Sequence, residues 1–293
     1  GKHISSINCS NEQVIICAGK KAYSMLVVYE YKMNRVESLC KKSPAELSIY
    51  ELDTVVPTRS PFVQCFTGPE TLFLVSKKGE VIYWGVDSIN TAIDTIPMEK
   101  PQMIEFEFEN EEEDSIDSLD AARYYAAFVS KCGDLYIYGK GTCWLNHLCS
   151  EKPKRVNQLL GRKNEDIKVA NVACTDKFML ILTPRGELYV WGQLNYKSYV
   201  YPFRVAKDQT ILQIESSNDF ALALTDTGDI LCFGIPPLNG LFKTPQLGDT
   251  LYKILNAGIK SQHLTLSCGA SHIVVSEVSM MQSVQDAKLA QEK

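Results

Sequence analysis

No apolar run in this 293-residue chain approaches the roughly 18 residues that a membrane-spanning helix requires, so no membrane span is expected. There is no surplus of positive charge either: 30 Lys and Arg stand against 35 Asp and Glu, a net charge of −5. Proteins that grip phosphate backbones carry a basic excess or stripe. Only short clusters such as Lys152, Lys154 and Arg155 occur here, and nucleic acid is not expected as a ligand. An acidic balance suits solubility or a basic partner surface. Histidine is scarce (His3, His147, His263 and His272), and none stands near a Ser or Cys and an acid in a hydrolase-like pattern. Cys132, Cys143, His147 and Cys149 lie close in sequence, but their spacing matches no common zinc site. The GKGT of 139–142 lacks the full phosphate-loop pattern. No catalytic residue, metal or cofactor is therefore expected.

The ten cysteines contain no C-x-x-C pair, and most sit in apolar runs, as Cys17, Cys174 and Cys232 do. Buried thiols of this kind behave as small hydrophobes. Reduced thiols in a cytoplasmic or nuclear protein are expected. The N-terminal GKHISS has no charged region followed by an apolar one, so no secretory signal is read there. The absence of an initiator Met leads us to expect a domain of a longer protein. Apolar residues at 45% and charged residues at 22% are those of a globular chain.

What the sequence does have is repetition. TLFLVSKKGEVIYWG (71–85), YAAFVSKCGDLYIYG (125–139), FMLILTPRGELYVWG (178–192) and FALALTDTGDILCFG (220–234) align directly. Their first glycines, Gly79, Gly133, Gly186 and Gly228, fall 54, 53 and 42 residues apart. Their second glycines, Gly85, Gly139, Gly192 and Gly234, repeat the same intervals. An acidic residue follows every first glycine, and an aromatic (Trp84, Tyr138, Trp191 or Phe233) precedes every second one.

Apolar alternation at period two predicts half-buried strands, and the polar segment with Gly predicts a hairpin turn in which Gly takes positive φ. The aromatic is placed to pack between neighbouring sheets, and the second Gly to permit a bend or close approach. Weaker copies flank the four, 13–29 with Lys21 at the turn-glycine position and 268–282 with Met280 there. A further short strand precedes each copy. Three or four strands recurring about every 50 residues predict an all-β fold, a β-propeller with one blade per repeat. Its extent is read as 1–277. Residues 278–293 are read as a short C-terminal helix or a frayed tail.

LSCGASHIVV, LTPRGELYVWG and LTDTGDILCFG together resemble the regulator of chromosome condensation repeat family. Gly269 and His272 match the first half of its repeat, and Gly186, Trp191 and Gly192 the second. The family His position is held by Gln13, Thr71, Tyr125, Phe178 and Phe220 in the other copies. The resemblance implies a propeller of usually seven blades, against six copies counted here, so six or seven blades are expected.

Residues 105–120 carry nine acidic residues in sixteen. This segment is either a solvated loop or an acidic clamp for a basic protein surface. For the clamp, the candidate residues are Glu105, Glu107, Glu109, Glu111, Glu112, Glu113 and Asp114. Rigid rings with variable loops suit protein binding. The expected function is a non-enzymatic interaction module or scaffold. The resemblance offers an alternative, guanine-nucleotide exchange on a small GTPase, which the family's founding member performs with one propeller face and a protruding hairpin wedge. No compact extra hairpin is legible in the connectors.

Overall fold

The structure, a computed structural model, describes residues 4–9, 13–18, 21–26, 49–51, 60–68, 71–85, 101–108, 114–139, 150–160, 167–194, 197–234, 252–256, 264–269 and 273–277. These form antiparallel meanders in chain order. The first sheet is β1 (Ile4–Cys9), β2 (Gln13–Ala18), β3 (Lys21–Leu26) and β4 (Ile49–Glu51). The second is β5 (Phe62–Thr67), β6 (Thr71–Ser76), β7 (Val81–Gly85) and β8 (Gln102–Ile104). The third is β9 (Ile116–Ala121), β10 (Ala126–Ser130), β11 (Leu135–Gly139) and β12 (Ser150–Arg155). The fourth is β13 (Asn171–Cys174), β14 (Phe178–Leu182), β15 (Leu188–Leu194) and β16 (Lys197–Val205). The fifth is β17 (Ile211–Ser216), β18 (Phe220–Thr225), β19 (Asp229–Gly234) and β20 (Tyr252–Asn256). A sixth pair is β21 (Leu264–Cys268) with β22 (Ile273–Glu277). Among the described residues the helical content is one 3-10 turn, Asn157–Leu159.

The sheets stack face to face in sequence order, the arrangement of a propeller, and five apolar clusters fill the five junctions. First strands pack on first strands, β1 on β5, β9 on β13, β13 on β17 and β17 on β21. The alternation in the repeats therefore has a different meaning from the half-buried strand expected. The middle strands β6, β10, β14 and β18 are buried along their whole length. In β10, Ala127 and Val129 face the fourth sheet, while Ala126 and Phe128 face the second. A sheet sandwiched between two others has no solvent face, so both halves of the period-two pattern are core.

The turns behave as the repeats predict. Gly79, Gly133, Gly186 and Gly228 all have φ between 77° and 82°. Ser76 N–H bonds the Glu80 carbonyl and Gly79 N–H the Ser76 carbonyl, each at 2.9 Å. This is a three-residue hairpin loop with a left-handed residue before the returning strand. The sequence reading missed the hydroxyl at the start of each turn. Ser76, Ser130, Thr183 and Thr225 accept the N–H of Glu80, Asp134, Glu187 and Asp229 at 2.9–3.2 Å.

The first copy departs from this pattern. Ala18 pairs directly with Lys21, so Lys21 opens a strand instead of holding the turn-glycine position. The hairpin there is one residue tighter. β21 and β22 supply the first two strands of the last copy. Met280, His272 and the expected C-terminal helix or tail of 278–293 lie outside the described residues.

The repeat aromatics fill the junction on the side of the preceding sheet. Trp191 and Phe233 are fully buried, Tyr138 is buried, and Trp84 is partly buried between the first three sheets. Trp191 also donates its indole N–H to the Val200 carbonyl of β16 at 3.0 Å.

Candidate partner-binding surface

The acidic segment begins where the edge strand β8 leaves the second sheet. Glu105 and Glu107 are exposed, while Phe106 and Phe108, which alternate with them, turn inward. The two rings stack at 5.5 Å. Phe106 meets Phe128 edge-on at 5.1 Å, and both rings meet Tyr136 edge-on at 5.7 Å. Alternation thus anchors one side of the segment and presents carboxylates on the other. Glu107 pairs with Lys152 of β12 at 3.3 Å, with both ends exposed, a pair of small net worth.

Asp114 stands apart from these. Its carboxylate accepts the backbone N–H of Ser115 at 2.9 Å and of Cys132 at 3.2 Å, so it ties the entry of β9 to the β10–β11 turn. Glu109, Glu111, Glu112 and Glu113 lie outside the described residues, as do Cys143, His147 and Cys149. Gly269 follows β21 and is half-buried.

Two carboxylates that the sequence reading passed over sit on the first strands. Asp120 faces Ala127 in register and Glu215 faces Leu222, so they occupy equivalent places in the third and fifth sheets. Asp120 accepts the N–H of Ala121 at 2.9 Å, the N–H of Cys174 at 2.6 Å, and the hydroxyl of Ser216. Burial pushes its carboxyl up to about 6 against the pull of these donors. Glu215 accepts the Gln213 amide at 2.9 Å, and burial, with the Asp120 charge adding, pushes it up to about 7. Gln213 in turn bridges to the backbone of Leu266 on β21, donating to its carbonyl and accepting its N–H, both at 3.0 Å. The only signal for these acids was an ionisable residue inside a strand-like run, as in IDSLDA.

Tyr125 stands at the repeat position that the family fills with His. Its hydroxyl donates to the carbonyls of Thr175 at 2.9 Å and Phe178 at 3.2 Å in the next sheet, a sheet-to-sheet tie through a different donor.

Near the first junction, Cys65 lies against Ser6 and the Ile15 carbonyl. A hydrogen bond from Cys17, outweighing burial, brings its thiol down to about 7. The described cysteines are free thiols, and Cys17, Cys174 and Cys232 are buried as their apolar surroundings predicted. Among the described residues, no group of His, Cys, Asp and Glu is arranged to hold a metal ion, and no helix is long and apolar enough to cross a membrane. The donors that Asp120 and Glu215 accept come from their own or neighbouring strands, so both carboxylates serve the packing of the first strands.

No protein-family model matches the chain. A segment covering 53% of it is 26% identical over 171 residues to the E3 ubiquitin-protein ligase HERC2 of mouse and, equally, of human. That segment spans 4% of either relative. Solved structures resemble nearly the whole chain. Human WBSCR16 superposes with a TM-score of 0.67 over 95% of this chain and 73% of its own, at 16% identity. Prp20p of Saccharomyces cerevisiae, reported with its binding to Gsp1p and histones, superposes with a TM-score of 0.66 over 98% of this chain and 72% of its own, at 15% identity. The same yeast protein, described as yeast RCC1, has also been solved bound to Kap60.

Proposed function

With the chain taken as a repeat propeller of the regulator of chromosome condensation type, we propose that it is a non-enzymatic protein-interaction module, part of a larger protein or complex. In this reading the ring has six blades over 1–277, the last built on β21 and β22, and works in the cytoplasm or nucleus. The observation that carries it is the segment 105–108. Its two phenylalanines are locked onto the third sheet, while Glu105 and Glu107 stand in solvent. A rigid acidic edge is what a basic protein surface recognises, through steering and rim contacts. The likeness to Prp20p, whose structure report names histones among what it binds, supports a basic partner, because histones are strongly basic.

A second reading, nucleotide exchange on a small GTPase, is supported by the Gsp1p binding named for the same protein. One feature bears on the wedge that exchange requires. β15 runs past Gly192 to Leu194 and returns as β16 from Lys197, a hairpin extension that sequence reading did not find. Leu194 and Tyr199 in it are buried, so the extension lies back on its own sheet.

The test is capture of partners from cell extract by the chain, with and without EDTA, alongside the Glu105→Lys/Glu107→Lys variant. EDTA strips magnesium and leaves small GTPases nucleotide-free. Partners that ignore EDTA and are lost with the charge reversal support the scaffold. A GTPase enriched only with EDTA moves the assignment to exchange. Partners retained by the variant reject the acidic edge.

A further inference from the structure

A cleft of about 1140 Å³ opens between the third and fourth sheets, beside the buried junction that Leu160 and Tyr189 help to fill. One wall is the 3-10 turn region with Leu159 and Leu160, and the other is β16 with the β14–β15 turn. The charge of its described lining is opposite to that of the chain as a whole: among the described residues, Lys168, Arg185, Arg204 and Lys207 line it against one acid, Glu187. Lys168 is engaged by Asp134 at 2.8 Å and Arg204 by Glu187 at 2.9 Å. Among the described residues, Arg185 and Lys207 have no acidic partner. The Lys207 ammonium sits 5.5 Å from the centre of the Phe203 ring. Tyr201 and Phe203 beside it, on the edge strand β16, are 65% and 46% exposed and give the cleft an aromatic rim.

One junction earlier, this chain itself seats an acidic–aromatic segment on a sheet junction. There the segment Glu105-Phe106-Glu107-Phe108 lays its rings on Phe128 and Tyr136 and gives Glu107 to Lys152. Tyr136 and Tyr189 are register equivalents, each three residues before the second glycine of its repeat. At the later junction Leu159 and Ile167 pack on the cluster that holds Leu160 and Tyr189, and the cleft opens beside them, with cations outnumbering acids among its described lining residues. The earlier junction thus gives an example of an acidic–aromatic segment held by rings and a cation.

We propose that the cleft between the third and fourth sheets binds an acidic–aromatic peptide segment of a partner protein. Arg185 and Lys207 take its carboxylates, and Tyr201, Phe203 and Leu159 take its rings. The inference rests on the reading of the ring as an interaction module but uses a different surface from the acidic edge. A single-stranded nucleic acid would also use cations and rings. A cleft with only two cations that lack an acidic partner among the described residues, in a chain of net charge −5, favours the peptide.

The test is fluorescence anisotropy of a labelled Glu-Phe-Glu-Phe-Glu peptide titrated with the full chain. Matched Gln-Phe-Gln-Phe-Gln and Glu-Ala-Glu-Ala-Glu peptides and an oligothymidylate serve as comparisons. Saturable binding of the first is expected, weakened about tenfold or more by Arg185→Glu/Lys207→Glu, with Phe203→Ala as an independent variant. All three substituted side chains are exposed, and melting curves check that the variants remain folded. The peptide could instead invade the seat of residues 105–108, and in that case the double variant binds it as the unsubstituted chain does. That result overturns the proposal. So does the absence of saturation up to about 1 mM, or oligothymidylate binding more tightly with the same dependence on Arg185 and Lys207. Failure here with the acidic-edge capture intact rejects only the cleft, whereas loss of capture with peptide binding intact rejects only the edge.

Discussion

Ser216 on the first strand of the fifth sheet donates its hydroxyl to Asp120 on the first strand of the third, 96 residues away. The Cys174 N–H of the fourth sheet donates to the same carboxylate. One side chain thus ties three consecutive sheets at their first strands. Polar ties of this kind join other sheets too, as Tyr125 does to Thr175 and Phe178 and Gln213 to Leu266, within junctions filled mainly by apolar side chains, which are non-directional. A buried, hydrogen-bonded carboxylate adds a fixed relative position.

Asp120→Ala leaves the Cys174 N–H without its acceptor. An unsatisfied buried donor costs about 1–3 kcal/mol, so a loss of about 2 kcal/mol is expected. Ser216→Ala removes one of three donors and is expected to cost about 1 kcal/mol. Denaturant unfolding at neutral pH checks both. A serine variant as damaging as the aspartate variant would contradict the clamp, because Asp120 would still hold its two backbone donors.

Gly186 has φ +77°, and an added Cβ would lie 2.5 Å from Thr210 Cγ2 and 3.0 Å from the Ile211 carbonyl oxygen. The Gly186 carbonyl also accepts the Ile211 N–H at 2.9 Å. The turn glycine is therefore the point where the chain entering the fifth sheet touches the fourth. Gly186→Ala combines left-handed strain of about 1–2 kcal/mol with a clash against the Thr210 methyl and a tight approach to the Ile211 backbone. A lowered melting temperature equivalent to at least about 2 kcal/mol is expected. A melting temperature within a degree of the parent's would mean that this contact is dispensable.

Trp191 separates packing from hydrogen bonding. Trp191→Phe keeps most of the ring contact and loses the bond to the Val200 carbonyl, for about 1 kcal/mol. Trp191→Ala opens a cavity between the third and fourth sheets and is expected to cost about 3–5 kcal/mol. Urea unfolding of the two variants gives the ratio. Equal losses would place the value of this residue in the indole N–H.

The spacing of the glycines was enough to locate four hairpins, because positive φ at a turn and close backbone approach leave few alternatives to Gly. The tie that Tyr125 makes was invisible, because a tyrosine in an apolar run reads as core. Asp120 and Glu215 were missed for a related reason. The Cys174 and Ser216 donors to Asp120 come from the next two sheets, and the burial of Glu215 depends on the sheets packed around it, so nothing local marks either acid. The acidic segment was legible as charge. Its division into an exposed pair, Glu105 and Glu107, and a structural residue, Asp114, depends on which backbone N–H groups come near in space. The basic cleft is assembled from Lys168, Arg185 and Lys207, which belong to three separate segments, and no window of sequence holds its surplus.

Two carboxylates of the fold titrate with opposite effect on stability. Glu215 is raised to about 7 by burial first, so the folded chain holds a proton that the unfolded chain releases near its ordinary value of about 4.3. Its contribution is present in full below about pH 4 and is lost as the pH rises through about 7. Asp134 is the reverse. Burial alone would raise it, but the bonds from Arg155 at 3.0 Å and Lys168 at 2.8 Å outweigh burial and hold it below the usual range. Its contribution is present above about 3.9 and fades as the pH falls through its folded value. Glu215→Gln keeps the acceptor for Gln213. It is expected to stabilise the chain relative to the parent at about pH 8 and to leave it unchanged at about pH 4. Asp134→Asn is expected to destabilise at about pH 7, with the deficit shrinking in acid. Denaturant unfolding of both variants across that range measures the two slopes. Slopes of the same sign would mean that one of these two environments is not the one that governs titration.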